Sequence, residues 1–383
     1  MKLPAHDQGR APNVMVLRST AAVMEPRVLR TCRALIEIGC RVNLILWDRL
    51  SEANWLLDKV EVTLVRVPGE YGGGWRLLKA LVRWNLALLR YLLAQNPDAI
   101  HACDLDTVVP ALVARKLRGS KVVYDIFDWY ADTHPVGTLR PLVASLERWI
   151  ARQVDCVIIA HEARARQLGL EMAARKDGRQ PHIVCIYNAP EIVDGRTVHA
   201  PGGLPSRYIA YCGLLAEERG IETLIEAAAL ANIDLVIAGW GPLEGLCRER
   251  SAQNPRVHWL GRLPHQEVLA VEANAVANVA LYDPSVPNNR YAAPNKLFES
   301  MALGRPFVTN DGTLAADLVR LHGCGTVVPY ADVLALAEAI DSLARHPTLC
   351  YQYGEAGRVA YLARYSAERM RERLQEVYRE LLR

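Results

Sequence analysis

Lys296 and Glu299 stand three residues apart near the head of the segment Pro-Asn-Lys-Leu-Phe-Glu-Ser-Met-Ala-Leu-Gly, residues 294–304. Pro294 suits the first turn of a helix, and Gly304 suits its stop after Leu303. A helix start presents free N–H groups and the positive end of the backbone dipole, which together attract an anion. Lys296 adds a full charge there, and it is the sole lysine after Lys176 in a stretch that otherwise uses arginine. Glu299 lies one turn further on the same side, where a carboxylate can accept hydrogen bonds from sugar hydroxyls. A phosphate-bearing, hydroxyl-rich ligand would satisfy both groups. The same spacing also describes an ordinary i, i+3 ion pair on a capped surface helix, and on spacing alone both readings stay open.

Other chemistry is poorly represented. Asp104-Leu-Asp106 has the form of a metal-binding D-x-D pair, but it follows a short strand-like run, and Asp106 is well placed to cap a helix over 107–117. No metal site is expected. No G-x-G-x-x-G follows the first strand-like run, which argues against a dinucleotide-dependent dehydrogenase. The nine cysteines show no C-x-x-C or zinc spacing and most sit in apolar runs, so they read as core residues of a reducing compartment. A net charge of +3 over 383 residues gives no general nucleic-acid signal. The polar N-terminus and the lack of a long uncharged apolar run predict a cytoplasmic protein. One local exception stands out. Residues 75–94, Trp-Arg-Leu-Leu-Lys-Ala-Leu-Val-Arg-Trp-Asn-Leu-Ala-Leu-Leu-Arg-Tyr-Leu-Leu-Ala, place Arg76, Lys79, Arg83 and Arg90 on one narrow face of an otherwise apolar helix without an acid. That pattern fits either an anionic membrane surface or a helix packed on a sheet with its cations solvated.

These groups must be positioned by a scaffold of alternating elements. Strand-like runs at 14–17, 41–47, 60–67, 98–101, 121–124, 156–160 and 183–187 are separated mostly by helical stretches. The composition then shifts to Pro-Gly-Gly-Leu-Pro-Ser near 201–206, a linker signal, and a second series follows at 208–212, 235–238, 257–260, 276–281, 306–309 and 325–328. Apolar strands alternating with helices predict parallel sheets covered on both faces. The chain is therefore expected to be α/β, with two Rossmann-like domains facing each other across a cleft: 1–195, 196–355 and a final helical segment, 356–383, that crosses back to the first domain.

Pro294-Asn295-Lys296-Leu297-Phe298-Glu299 resembles the P-N-K-L-F-E signature of retaining glycosyltransferases of the GT-B fold, the group 1 or family 4-like enzymes. Further pieces occur in the order found in that family. They are Glu25-Pro-Arg27-Val, His101-Ala-Cys-Asp104-Leu-Asp106-Thr, Lys121-Val-Val-Tyr-Asp125, Tyr187-Asn-Ala-Pro, Gly213-Leu-Leu-Ala-Glu-Glu-Arg219-Gly and Ala238-Gly239-Trp-Gly241-Pro-Leu. The resemblance implies a metal-independent hexosyltransferase-like enzyme without a cofactor, whose donor is a nucleotide-diphosphate sugar and whose acceptor is a saccharide, lipid-linked or of the cell envelope. It implies that Arg219 and Lys296 hold the donor diphosphate and that Glu299 binds the ribose. Gly213, Gly239, Gly241, Asn295 and Leu297 complete the donor side. Arg27, Asp104 and Asp128 fall on the acceptor side, with Asp128 also a candidate for catalysis beside Arg219 and Lys296.

Three departures bear on that reading. Tyr291 replaces a frequent glutamate eight positions before Glu299, leaving Asn288, Asn289 or backbone N–H groups to read the sugar. Leu214 replaces a frequent arginine, and Phe127 replaces a frequent histidine in Asp125-Ile-Phe-Asp-Trp-Tyr, which leaves Asp128 as the nearest polar candidate or as a capping residue. A nucleotide-sugar epimerase of the same architecture and a non-catalytic subunit are the alternatives. The expected partners are a nucleotide sugar, a saccharide or lipid-linked acceptor and an anionic membrane surface, with no nucleic acid.

Overall fold

The computed structural model describes residues 10–21, 25–51, 53, 55, 57–69, 75–133, 136–170, 181–191, 201–291 and 295–383. Short, almost wholly apolar runs form its strands, and helices with one apolar face cover them. The first series runs β1 (Asn13–Arg18), α1 (Pro26–Glu37), β2 (Arg41–Asp48), β3 (Glu61–Arg66), α2 (Trp75–Gln95), β4 (Ala99–Cys103), α3 (Leu105–Arg118), β5 (Lys121–Ile126), α4 (Tyr130–Thr133), α5 (Arg140–Ala151), β6 (Cys156–Ile159), α6 (Ala163–Leu168) and β7 (His182–Cys185). Its strands make one parallel seven-stranded sheet in the order β3-β2-β1-β4-β5-β6-β7.

The second series runs β8 (Tyr208–Leu214), α7 (Ile221–Leu230), β9 (Asp234–Trp240), α8 (Glu244–Gln253), β10 (Val257–Trp259), α9 (His265–Asn274), β11 (Ala277–Val279), α10 (Pro287–Arg290), α11 (Asn295–Ala302), β12 (Phe307–Asn310), α12 (Leu314–His322), β13 (Gly325–Val328), α13 (Val333–Arg345) and α14 (Pro347–Ala360). Its parallel sheet has the order β10-β9-β8-β11-β12-β13. The chain ends in α15 (Ala367–Leu381). In each sheet the order reverses beside the first strand, between β1 and β4 and between β8 and β11. Ligands of open α/β sheets bind beyond the carboxyl ends of strands at such a switch point.

The chain divides into two compact units, residues 1–187 with 370–383, and residues 188–369. Residues 356–369, which the sequence groups with the returning segment, thus stay with the second unit. There the Tyr361 hydroxyl donates to the Pro190 carbonyl at 2.5 Å, and the Tyr365 ring lies 5.1 Å from that of Phe298. From Met370 onward α15 belongs to the first unit: Tyr378 is buried against His101, and Arg373 donates to the Cys185 carbonyl.

Helix α2 packs Ala80, Trp84, Leu88 and Leu92 into the core of the first unit, one residue every fourth position. Trp84 stacks on Trp47 at 5.4 Å. Its other face carries Arg76, Lys79, Arg83 and Arg90, together with the exposed Leu78, Val82 and Leu86. Eight cysteines are buried and Cys350 is half-buried, all as free thiols. No described helix is long and apolar enough to cross a membrane. Helix α3 begins two residues earlier than its sequence suggests. Asp104, not Asp106, is its N-cap residue, with φ +62° and no side-chain capping bond. The Asp104 carboxylate is instead drawn to Arg18 and to the backbone N–H of Phe127.

Candidate functional site

At the switch point of the second sheet, two glycines let the strand ends close up. Gly239 on β9 stands opposite Gly213 on β8, and a Cβ on Gly239 would fall 1.8 Å from the Gly213 carbonyl oxygen. A Cβ on Gly241 would fall 2.5 Å from the Leu215 carbonyl oxygen. Only glycine fits either place. The chain leaving β8 makes a short 3-10 turn, Glu217–Arg219, and enters α7 through Gly220. That turn is fastened to the chain after β11: Asp283 N–H donates to the Glu218 carbonyl at 2.9 Å, and Arg219 Nη1 donates to Asn289 Oδ1 at 3.1 Å. Asn289 is itself buried and donates to the Asp283 carbonyl. The Arg219 guanidinium lies over the Tyr282 ring, 4.7 Å from its centre, a favourable cation–π placement.

Lys296 is in the first turn of α11, with Asn295 exposed before it and Leu297 fully buried after it. Leu297 can therefore offer a ligand only its backbone. Pro294 lies outside the described residues. Lys296 Nζ is 2.6 Å from Glu299 Oε2, so the i, i+3 ion pair is present, and it is 3.0 Å from Glu272 Oε1 on α9. The two carboxylates are buried, 3% and 1% exposed as residues, while the lysine side chain keeps 22% of its surface. Burial works against the ammonium, but Glu272 and Glu299 more than offset it, so Lys296 stays charged. Glu272 is pushed up to about 8: burial raises it, Lys296 pulls it down, and the adjacent Glu299 raises it again. His265 stands at the start of α9 with Nδ1 4.0 Å from Glu299 Oε1. Arg219 and Lys296 both act electrostatically on the buried phenols of Tyr211 and Tyr282, so the two cations serve one end of the sheet.

The switch point of the first sheet holds a second network. Arg27, at the start of α1, donates to both oxygens of Asp125, at 3.0 Å and 2.5 Å, and to the Ile186 carbonyl at 3.1 Å. His101 on β4 links Asp125, at 3.2 Å, to the Tyr378 hydroxyl, at 2.9 Å. Burial alone would raise the Asp125 carboxyl, but Arg27 and His101 override it and hold it at about 2. Arg27, read from the resemblance as an acceptor-side residue, is buried within this network. Phe127, where the family often has histidine, lies under the guanidinium groups of Arg18 and Arg27, 4.5 Å and 4.9 Å from its ring centre. Asp128 is exposed and pairs with the buried Arg164 at 3.1 Å.

Asp104 is engaged by Arg18, while Asp106 shares a hydrogen bond with Ser19 and is pushed up to about 6 by burial and by Asp104. Among the described residues, His101, Cys103 and Asp125 alone cluster at metal-ligand spacing. They fit a cation poorly: Asp125 is already occupied by a guanidinium, and burial drives the Cys103 thiol far from its thiolate. Sequence reasoning missed Glu272, Arg164 and the Arg27–Asp125–His101–Tyr378 chain. Within that chain Arg27, His101 and Asp125 had a signal, since all three lie within the quoted family-like segments, and Tyr378 had none.

Two parallel α/β units with polar groups gathered at their switch points define a GT-B architecture. Residues 24–189 match the glycosyl transferase 4-like domain, and residues 206–346 match the glycosyl transferases group 1 domain. The chain carries both domains and belongs with the glycosyltransferases. It is 25% identical over 333 residues to the alpha-D-kanosaminyltransferase of Streptomyces kanamyceticus, spanning 81% of this chain and 83% of that one. The fold superimposes on sucrose-phosphate synthase from Thermosynechococcus elongatus with a TM-score of 0.75, covering 97% and 99% of the two chains at 18% identity. It also matches Anabaena Alr3699/HepE in complex with UDP, with a TM-score of 0.69, covering 96% and 100% at 13% identity.

Proposed function

We propose that the chain transfers a sugar, with retention of anomeric configuration, from a nucleoside-diphosphate sugar to a saccharide acceptor, and that the second unit holds the donor. The observation that carries this is the pair of cations, Arg219 and Lys296, at the switch point of a sheet whose fold is shared with a UDP-bound protein. Breaking the sugar–phosphate bond places charge on the departing diphosphate. Two cations and the N–H groups at the head of α11 stabilise that charge. Glu299 takes the ribose hydroxyls. Gly213, Gly239 and Gly241 let backbone approach the phosphates, and Asn295 and Leu297 contribute through α11. The acceptor oxygen attacks the face from which the diphosphate departs, and its proton passes to the phosphate oxygen, so no protein nucleophile is required. In the first unit Asp104 and Asp128 face the acceptor. Incubation with a panel of nucleotide sugars, following nucleotide release with and without lipid-linked acceptor, tests the reading. Donor conversion without any acceptor or nucleotide release marks an epimerase instead. Because the cations fill the part a divalent ion would play, turnover should survive excess EDTA. Loss of turnover, restored by manganese or magnesium, would reverse that conclusion.

A second observation favours work at an anionic membrane, on a lipid-linked or cell-envelope acceptor. Helices α2, α3 and α5 lie side by side over the first sheet. Their outer surfaces expose Leu78, Val82 and Leu86 on α2, Val109, Val113 and Leu117 on α3, and Leu142, Leu146 and Trp149 on α5. The basic groups among them include Lys79, Arg83, Arg90, Lys116 and Arg118. Of the acids on these helices, Asp106 is at the head of α3 and Glu147 is fully buried. Apolar groups interleaved with cations suit the headgroup region, at about 1 kcal/mol per basic residue near an anionic surface. Liposome flotation should show binding that needs anionic lipid, weakens with salt, and fails when Arg76, Lys79 and Arg83 become glutamate in a folded variant. A wild-type protein that ignores anionic liposomes at low salt would leave this face without a membrane role.

A further inference from the structure

The Lys296 ammonium is shared by two buried carboxylates, yet the proposed donor brings at least two further negative charges to it. With Glu272 and Glu299 both ionised, the triad would carry a net negative charge out of water before any ligand arrives, which is costly. The geometry says which group gives way. Glu272 is the more buried of the two and stands 3.0 Å from the ammonium, whereas Glu299 is closer, at 2.6 Å, and has His265 near its other oxygen. Among the described residues, Lys296 is the cation paired with Glu272. Cys212 on β8 is held as a thiol, and Tyr282 after β11 is pushed up to about 12 by burial, so both stay neutral.

We infer that Glu272 links donor binding to a proton: the diphosphate is bound by the form in which Glu272 is neutral, and above neutral pH binding draws one proton from solvent. This rests on the donor reading given above. Glu272 is then a positioning residue. It holds Lys296 through Oε1 but, once protonated, leaves the lysine's charge for Glu299 and the phosphates. Burial and the adjacent Glu299 push Glu272 upward, which places the effect above the second ionisation of phosphate groups near 6.

Uridine, guanosine and adenosine diphosphates are the probes, in titration calorimetry between pH 7 and 9 in buffers of different ionisation heat. For whichever diphosphate binds, affinity should be nearly level at pH 7 and fall toward about tenfold per pH unit by pH 9, the limit for one linked proton. Proton uptake should approach one per site. Glu272→Gln should bind with a level profile and no uptake, and Glu272→Met serves the same purpose if glutamine disturbs folding. A level wild-type profile without proton exchange overturns the linkage while leaving the donor site in place, as does uptake that persists in Glu272→Gln. If none of the three diphosphates binds, the donor reading itself falls and takes the linkage with it.

Discussion

Arg219→Ala and Lys296→Ala should each lower turnover by about 100- to 1,000-fold at saturating donor, the usual consequence of deleting one contact to charge that develops in a transition state. The two losses differ in what they leave behind. Arg219 is fastened by its hydrogen bond to Asn289 and by its stack on Tyr282, so alanine removes a cation without baring a buried charge. Lys296→Ala strands Glu272 and Glu299 beside each other, and their shared burial must then be relieved by protonation. Its activity loss should therefore come with lower thermal stability, whereas that of Arg219→Ala should not. Steady-state rates measured beside thermal melts separate the effects. Near-normal turnover in both folded variants would remove the diphosphate from this end of the sheet.

Arg27→Ala should destabilise the first unit by about 3–5 kcal/mol, because it leaves Asp125 buried without its countercharge. The guanidinium satisfies two carboxylate oxygens and the Ile186 carbonyl at once, and no described neighbour can replace all three bonds. The pH dependence has a definite sign. Asp125 titrates at about 2 in the folded protein, below the ordinary aspartate value of about 3.9. Its contribution is present above about pH 4 and is lost as pH falls toward 2. In Arg27→Ala the carboxyl loses its main stabilising charge, so the variant should sacrifice less stability on acidification than the wild type. Urea unfolding at pH 7, 4 and 3 checks both statements. Equal midpoints for the two proteins at pH 7 would show that the ion pair contributes little.

Much of this architecture could be read from residue order. Buried parallel strands are apolar on both faces, so runs such as Cys156–Ile159 announce themselves, and the glycine pair of β8 and β9 lies inside quoted motifs. The head of α3 could not be read in that way. Asp104 and Asp106 are both reasonable caps locally, and the choice is made by Arg18, 86 residues away, and by the Phe127 N–H. Glu272 was hidden for a similar reason. It sits 24 positions before Lys296, on a short helix whose pattern only says that Leu269, Ala270 and Val271 are buried beside it. Nothing local explains an acid on that face, because its partner comes from another helix. Likewise the stripe on α2 suggested either packing or exposure, and the structure shows that opposite faces do both.

The return of α15 to the first unit has a consequence for how the chain is made. Residues 188–369 form one uninterrupted unit, so all of its partners have been synthesised before residues 370–383 appear. The first unit, although translated earlier, lacks Tyr378 beside His101 and Arg373 beside the Cys185 carbonyl until residues 370–383 are made. The later-made half can thus be complete while the earlier-made half still waits, which reverses the usual order of maturation on the ribosome. A premature stop that spares every donor-side residue named above would still leave the opposite half unfinished.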